Sequence, residues 1–374
     1  MQDLGNRMPD AKASRRWRLP PALGQDLAVD LGTANTLVFA RRRGVVLAQP
    51  SYVAVDRGAQ RMLAVGAEAR EMMGRTRPPV EVIRPLRAGM INDFDAAQHM
   101  IREFILRVHN RRLFVRPRVI VCVPSGVSPV ARRAVEEAVL EAGARRVVIV
   151  SEPLAAAVGA GLAVDQPRGS MVVDVGGGTT EVAVFVMGGV VVGISEQVGG
   201  DDLDAAIAAH IRKSRGLQIG ERMAERLKVA AAAAGPGVRN VRARFPGKDL
   251  STGRPTWIEV TSDELAEGIA ESVARIADAV SVVLDRLPPD IVPDLLADGV
   301  ALTGGGALLA GLDRRLRRET GLPVKLDPEP LSCVVRGAGL LLERIRTGQP
   351  EPRTGLRSDG RFVPGRRRKG RRSG

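Results

Sequence analysis

Apolar and polar residues alternate through 26–39 around a Gly-Thr-Ala-Asn turn, the period of two that predicts a hairpin of half-buried strands. The pattern recurs. Asp30-Leu-Gly-Thr-Ala-Asn-Thr-Leu-Val38 matches Asp174-Val-Gly-Gly-Gly-Thr-Thr-Glu-Val182 with Asp, Gly and Thr in register, and each copy follows an apolar run, 27–29 or 171–173. A lone Asp-x-Gly string arises by chance. Two copies in the same strand–turn–strand setting predict a duplicated α/β unit and two lobes.

Between the copies, 118–123 reads as a strand, followed by Pro-Ser-Gly, a helix over about 128–142, a short strand 147–150 and a helix 153–161. Beyond the second copy, the spacing of Glu and Arg/Lys predicts helices over 201–215 and 220–228. The Gly-, Pro- and Arg-rich stretch 235–253 reads as an exposed turn between strands, and 263–286 as one helix ended by Pro288-Pro289. A strand 299–303 runs into Gly304-Gly305-Gly306 and a helix 308–320 capped by Gly321. The stretches of about 49–115 and 200–255 are too long for simple connections and read as inserted subdomains. The expected organisation is therefore a basic tail 1–24, a first lobe 25–170, a second lobe 171–348 and an Arg-rich tail 349–374.

With 374 residues, 44% hydrophobic and 26% charged, the chain is no disordered polyelectrolyte and has material for a sizeable core. Aromatic residues make up only 3%, too few for carbohydrate-stacking clefts or single-strand nucleic-acid platforms. No apolar run reaches the ~20 residues that span a bilayer, and Leu19-Pro-Pro interrupts any secretory apolar region, so a cytoplasmic location is expected. Cys122 and Cys333 read as small core hydrophobes in a reducing compartment. The net charge of +14 sits mostly at the ends, with nine Arg/Lys against two acids in 351–374 and five against two in 1–24. Solvated tails account for this, and so does contact with anionic lipid at ~1 kcal/mol per basic residue. Direct nucleic-acid binding is not expected.

Three glycine-rich strand ends in one chain are what a phosphate site between two lobes requires, because glycine lets backbone N–H groups wrap an anion that side chains would obstruct. Gly32, Thr33, Ala34 and Asn35 would present amides to terminal phosphates, and Gly176, Gly177, Gly178 and Thr179 would hold them from the opposite face. Asp30 and Asp174 each end a strand before a loop, where a carboxylate can hold the water shell of Mg²⁺. Asx-turns at hairpin starts are the competing account of both. Gly304, Gly305, Gly306 and Ala307 open a helix, a place that attracts an anion or a ribose phosphate, or else form a tight turn without a ligand. Neither a P-loop nor a Rossmann fingerprint is present, and His99, His109 and His210 fall in unrelated patterns.

These residues are similar to the signature of the actin, Hsp70 and sugar-kinase superfamily. At finer grain the chain resembles the MreB family of bacterial actins. The likeness runs from about 26 to 343 through Asp30-Leu-Gly-Thr-Ala-Asn-Thr36, Ile83-Arg-Pro-Leu-Arg-Ala-Gly-Met-Ile-Asn-Asp-Phe94, Val123-Pro-Ser-Gly126, the second Asp/Gly copy, Gly220-Glu-Arg-Met-Ala-Glu225 and Leu302-Thr-Gly-Gly-Gly-Ala307. The resemblance implies a duplicated, two-lobe, actin-like ATPase fold that binds ATP and Mg²⁺ between the lobes and yields ADP and phosphate. It places Glu221, Glu225 and Lys228 on the adenosine side with Gly304 to Ala307. It also aligns Glu152 with the acid that positions the attacking water; without the family, Glu152 is as easily a first-turn acid favoured by the helix dipole. Relatives usually carry a second acid where Ser151 stands here, and a more varied stretch where 229–234 is Ala-rich.

The resemblance further implies head-to-tail filaments on the inner face of the cytoplasmic membrane that organise the cell-wall elongation machinery. Leu113 and Phe114, flanked by Arg111, Arg112 and Arg116, correspond to a membrane-inserting loop, with packing into the first lobe as the alternative. A soluble Hsp70-like chaperone needs a substrate-binding domain, for which 351–374 is too short and too charged. A sugar-kinase-like enzyme needs an acceptor pocket and a base that no motif identifies. A plasmid-partition actin would share the same nucleotide site.

Overall fold

Two five-stranded sheets organise the computed structural model, which describes residues 26–109 and 116–347. The tails and the Leu113-Phe114 pair lie outside the described residues. In the first sheet the strands follow the order Arg146–Ser151, Arg118–Val123, Leu27–Leu31, Asn35–Ala40, Gly44–Pro50. In the second the order is Val324–Leu326, Val300–Thr303, Ser170–Val175, Thr180–Val186, Gly189–Glu196. The plans match: each Asp-bearing strand pairs antiparallel with its hairpin partner on one side and parallel with a later strand on the other. Parallel strands buried on both faces explain the near-continuous apolar runs Val119–Val123 and Met171–Val173. The duplication expected from the repeated motif is therefore present in the backbone.

Two helices, Glu152–Gly159 and Cys333–Arg346, form a layer between the sheets. One apolar cluster joins Ala28, Ile120 and Cys122 of the first sheet to Val172, Ala183 and Phe185 of the second through Leu154, Ala155, Ala156, Val334 and Ala338. The helices approach backbone to backbone. A Cβ on Gly337 would stand 1.8 Å from the Ala155 carbonyl oxygen, and one on Gly159 would stand 2.0 Å from that of Cys333. The Ala-Ala-Ala run and these glycines are thus a packing requirement at the place where the lobes meet. The helix Cys333–Arg346, which its sequence position groups with the second lobe, packs on Leu27–Leu31 and Asn35–Ala40 of the first sheet.

Each lobe carries an inserted three-stranded sheet, Arg61–Val65 with Val53–Asp56 and Val80–Ile83 in one, and Leu217–Gln218 with Arg242–Asp249 and Pro255–Thr261 in the other. Three local expectations change. The stretch 235–253 is not a turn throughout, because its second half forms Arg242–Asp249, where exposed Arg242 and Arg244 alternate with Ala243 and buried Phe245. The helix over 263–286 is two helices, Ser262–Gly268 and Ala270–Asp285; at the break Gly268 sits so close to His210 that a Cβ would meet its ring at 2.9 Å. After the third glycine run the chain makes a 3₁₀ turn, Gly305–Leu308, and the α-helix begins only at Leu312. Gly311, in the left-handed region at φ 80, separates the two.

Candidate functional site

Strand Leu27–Leu31 delivers Asp30 and the turn 32–34 to the cleft from one lobe, and strand Ser170–Val175 delivers Asp174 and the turn 176–179 from the other. The turns touch. A Cβ on Gly177 would lie 2.8 Å from the Ala34 methyl, so only glycine permits this approach. The Gly89 amide donates to Thr33 Oγ1 at 2.9 Å and ties the segment between Leu86 and Ile91 to the first turn. On the second lobe, Gly304 has φ 83, and a side chain there would stand 2.3 Å from the Val175 carbonyl oxygen and 2.7 Å from Asp174 Oδ1. The third glycine run thereby lies flat beside the second Asp/Gly turn.

A cavity of about 470 Å³ fills the space between these turns. Asp30, Gly32 to Asn35, Glu152, Asp174, Gly176 to Thr179, Glu225, Lys228 and Gly304 to Gly306 all line it. Two expected residues do not. Ala307 is buried behind the glycine run, where the 3₁₀ turn directs its methyl into the second lobe's core. Glu221 faces a smaller neighbouring pocket, its carboxylate 3.6 Å from Arg84. Lys228 lines the cavity but is already engaged, donating to the Gly200 carbonyl at 2.7 Å and to Asp204 Oδ2 at 2.9 Å.

Sequence reasoning misses the side chains that bridge the inserted segments. Arg84 donates to Tyr52 Oη at 2.8 Å and to Asp201 Oδ2 at 2.6 Å, and Arg70 pairs with Glu225 across the same gap. No spacing rule links residues so far apart in the chain; the pairs exist because the two insertions face each other. Val229, Leu308 and Leu331 present exposed apolar side chains at the same cavity.

Three carboxyl groups, those of Asp30, Glu152 and Asp174, line the cavity, and a fourth, that of Glu181, is buried near them. Asp174 is 5% exposed and accepts from Thr303 Oγ1 at 2.8 Å; burial nevertheless lifts its pKa to about 6. Asp30 keeps some solvent contact, but loss of hydration and the nearby Asp174 charge lift it to about 7. Glu152, first residue of its helix after the N-cap Ser151, is raised well above the ordinary range by burial and by the charges of Asp30, Glu181 and Asp174. Glu181, fully buried, is also raised by burial, against the opposing effect of hydrogen bonds from Ser125 and Ser195. Among the described residues no group of three or more His, Cys, Asp or Glu could hold a metal by itself. Asp30 and Asp174, two aspartates from opposing turns, are a donor set that would fit Mg²⁺, which favours few protein ligands.

The MreB/Mbl protein family model matches residues 24–350. Among curated relatives, the cell shape-determining protein MreB of Escherichia coli (strain K12) is 47% identical over 328 residues, 86% of this chain and 94% of that protein. The cell shape-determining protein Mbl of Bacillus subtilis (strain 168) is 42% identical over 321 residues, 86% and 96% respectively. Among solved structures, MreB5 of Spiroplasma citri bound to ADP superposes with a TM-score of 0.82 at 30% identity, covering 87% of this chain and 98% of that one. The same protein bound to AMPPNP gives 0.81. A MamK double helical filament, at 20% identity and a TM-score of 0.70, shares the fold. With the family model spanning all the described residues and the relatives matched over most of their own length, the chain is an actin-like protein of the MreB/Mbl family.

Proposed function

We propose that this chain is a filament-forming ATPase of the MreB type, closing its two lobes on Mg-ATP and organising cell-wall synthesis and cell shape from the inner face of the cytoplasmic membrane. One observation carries the reading: two Asp/Gly turns from duplicated sheets meet across a single cavity whose volume suits a nucleotide. Backbone N–H groups of Gly32 to Asn35 and Gly176 to Thr179 grip the terminal phosphates from two sides. Asp30 and Asp174 would hold the water shell of Mg²⁺, which would supply charge neutralisation on the phosphates when bound. Glu152 orients water for in-line attack, yielding ADP and phosphate, a task of placement more than of strong basicity. Val229, Leu308 and Leu331 offer the base an apolar surface. The S. citri relative's ADP- and AMPPNP-bound structures support nucleotide binding here.

The organisation that follows has a first lobe 25–170 and a second lobe 171–348 with basic tails outside them, and the bridging pairs Arg70–Glu225 and Arg84–Asp201 hold the insertions together when the cleft is shut. Head-to-tail contact between copies is heterologous and does not close, so it extends into filaments. ATP selects the closed form that assembles, and hydrolysis relaxes it. Purified protein is expected to pellet on ultracentrifugation with Mg-ATP and to stay in the supernatant without nucleotide. A monomer in every nucleotide state would leave a soluble kinase- or chaperone-like ATPase as the better reading.

Membrane attachment rests on the sequence pattern around Leu113 and Phe114. Two apolar side chains contribute ~1.5–3 kcal/mol each on burial, so one copy binds weakly and a filament binds through many. Changing both to Ser is expected to abolish co-sedimentation with anionic liposomes while leaving nucleotide-dependent assembly intact. Undiminished liposome pelleting would transfer attachment to the Arg-rich tails.

A further inference from the structure

Glu181 carries no role in the chemistry just described, yet its side chain is fully buried beside it. It sits directly opposite Asp174 in the hairpin of the second lobe, so both side chains leave the same face of the sheet. Its carboxylate is held from three directions. The Ser125 amide donates to Oε2 at 3.1 Å, the Ser125 hydroxyl donates to the same oxygen, and the Ser195 hydroxyl donates to Oε1. Ser195 belongs to the second sheet, whereas Ser125 belongs to the loop that leaves strand Arg118–Val123 of the first. One carboxylate therefore joins the two lobes beneath the phosphate turns.

The loop it grips is the neighbour of Glu152. Strands Arg118–Val123 and Arg146–Ser151 run parallel with Val123 opposite Ser151, so the chain leaves the sheet at Pro124 in one strand and at Glu152 in the next. Glu181 lies near enough for its charge to act on Glu152. The same loop braces the first phosphate turn. Pro124 packs so tightly on Gly89 that a Cβ there would meet Pro124 Cγ at 2.2 Å, and the Gly89 amide is the donor to Thr33. Gly126 closes against Ser195, its missing Cβ 3.3 Å from that side chain. The contacts run from Glu181 through Ser125, Pro124 and Gly89 to Thr33.

We propose that Glu181 is a positioning residue for hydrolysis: bonded to Ser125 and Ser195 across the lobe junction, it fixes the 124–126 loop and through it the placement of Glu152, so that water is aligned only when the lobes are shut. The proposal rests on the reading of Glu152 as the water-orienting acid. Opening the lobes would draw Ser125 from the carboxylate, and the Glu152 helix start would lose its brace, whereas Thr33 keeps its bond from the Gly89 amide. Because a displacement of about 1 Å at a reacting group costs up to ~10²-fold, loss of this bridge is expected in turnover and not in nucleotide affinity.

The test compares Glu181→Gln, Glu152→Gln and the double variant by phosphate release at saturating Mg-ATP and by binding of fluorescent ADP. Glu181→Gln keeps the shape and is expected to lower kcat between about tenfold and 10²-fold with ADP affinity within about twofold of the parent. The double variant is expected to be no slower than Glu152→Gln, since the two act through one step. Should Glu181→Gln fail to fold, Ser125→Ala and Ser195→Ala remove the donors singly and carry the same expectation. Parental kcat in Glu181→Gln beside a slow Glu152→Gln overturns the proposal alone. Parental kcat in Glu152→Gln overturns the reading of that acid and the proposal with it. Joint loss of kcat and ADP affinity in Glu181→Gln would make the residue structural and also refute the proposal.

Discussion

Asp174→Asn is expected to abolish ATP turnover while raising the melting temperature of the nucleotide-free protein at neutral and alkaline pH. The two effects have one cause. The Asp174 carboxyl is buried against Thr303 and lifted to about 6, and Asp30, lifted to about 7, feels the Asp174 charge as well as its own desolvation. A carboxyl raised in the fold keeps its proton where the unfolded chain, titrating near 3.8, has lost it. Between about pH 4 and pH 7 the native state therefore binds more protons than the unfolded state, and by linkage stability falls as pH rises. Asparagine removes the Asp174 contribution outright and relieves Asp30 of its neighbour's charge. The parent's melting temperature should decline across pH 5 to 8, the variant's should decline less, and the curves should separate by a few degrees at pH 8. Mg-ATP should flatten the parent's decline by favouring the ionised aspartates and leave the variant unmoved. Thermal scans at four pH values with and without Mg-ATP decide it; a variant that melts below the parent at pH 8, or still turns over ATP, would show that Asp174 is a turn-forming residue.

Much of this site is written in local strings, because a hairpin that must bring backbone amides to an anion needs particular residues at particular steps. Asp30 with Gly32 and Asp174 with Gly176 are readable for that reason, and their duplication foretells the matched sheets. Other parts come from packing and leave no periodic trace. The inter-sheet layer depends on Gly337 meeting Ala155, residues far apart in the chain, and the crossing of Cys333–Arg346 to the first sheet follows from that fit. Arg242–Asp249 is obscured by Pro246 and Gly247, which punctuate a strand without breaking its pairing with Pro255–Thr261. Glu221 and Glu225 look equivalent on one helix, yet four residues apart they meet different arginines. Glu225 pairs with Arg70 in the cavity wall, whereas Glu221 reaches Arg84 from the neighbouring pocket and does not itself line the cavity. Glu181 stands inside the most recognisable motif in the chain, but its partners Ser125 and Ser195 are set by closure of the lobes.

Glu152→Ala is expected to retain ATP binding and to slow phosphate release by about 10²-fold or more, the span usual for loss of a group acting on a proton in flight. Its placement supports the size of the effect. Glu152 begins its helix at the end of strand Arg146–Ser151, is 7% exposed, and lines the cavity between the two Asp/Gly turns. Its carboxyl is held above the ordinary range first by burial and then by three neighbouring carboxylates. The ionised carboxylate accepts the stronger hydrogen bond from water and is the form able to take up its proton, so turnover in the parent should rise with pH as Glu152 loses its proton. Alanine removes both the rate and this rise, leaving a slow, flat residual from the phosphate turns. ATP-driven assembly should persist in the variant, because binding closes the lobes before chemistry, and its filaments should disassemble more slowly than the parent's. Phosphate release followed from pH 6 to 8, beside light scattering of the same samples, separates these outcomes. A variant with parental turnover would remove Glu152 from the chemistry and return it to the role of an acid in a helix's first turn.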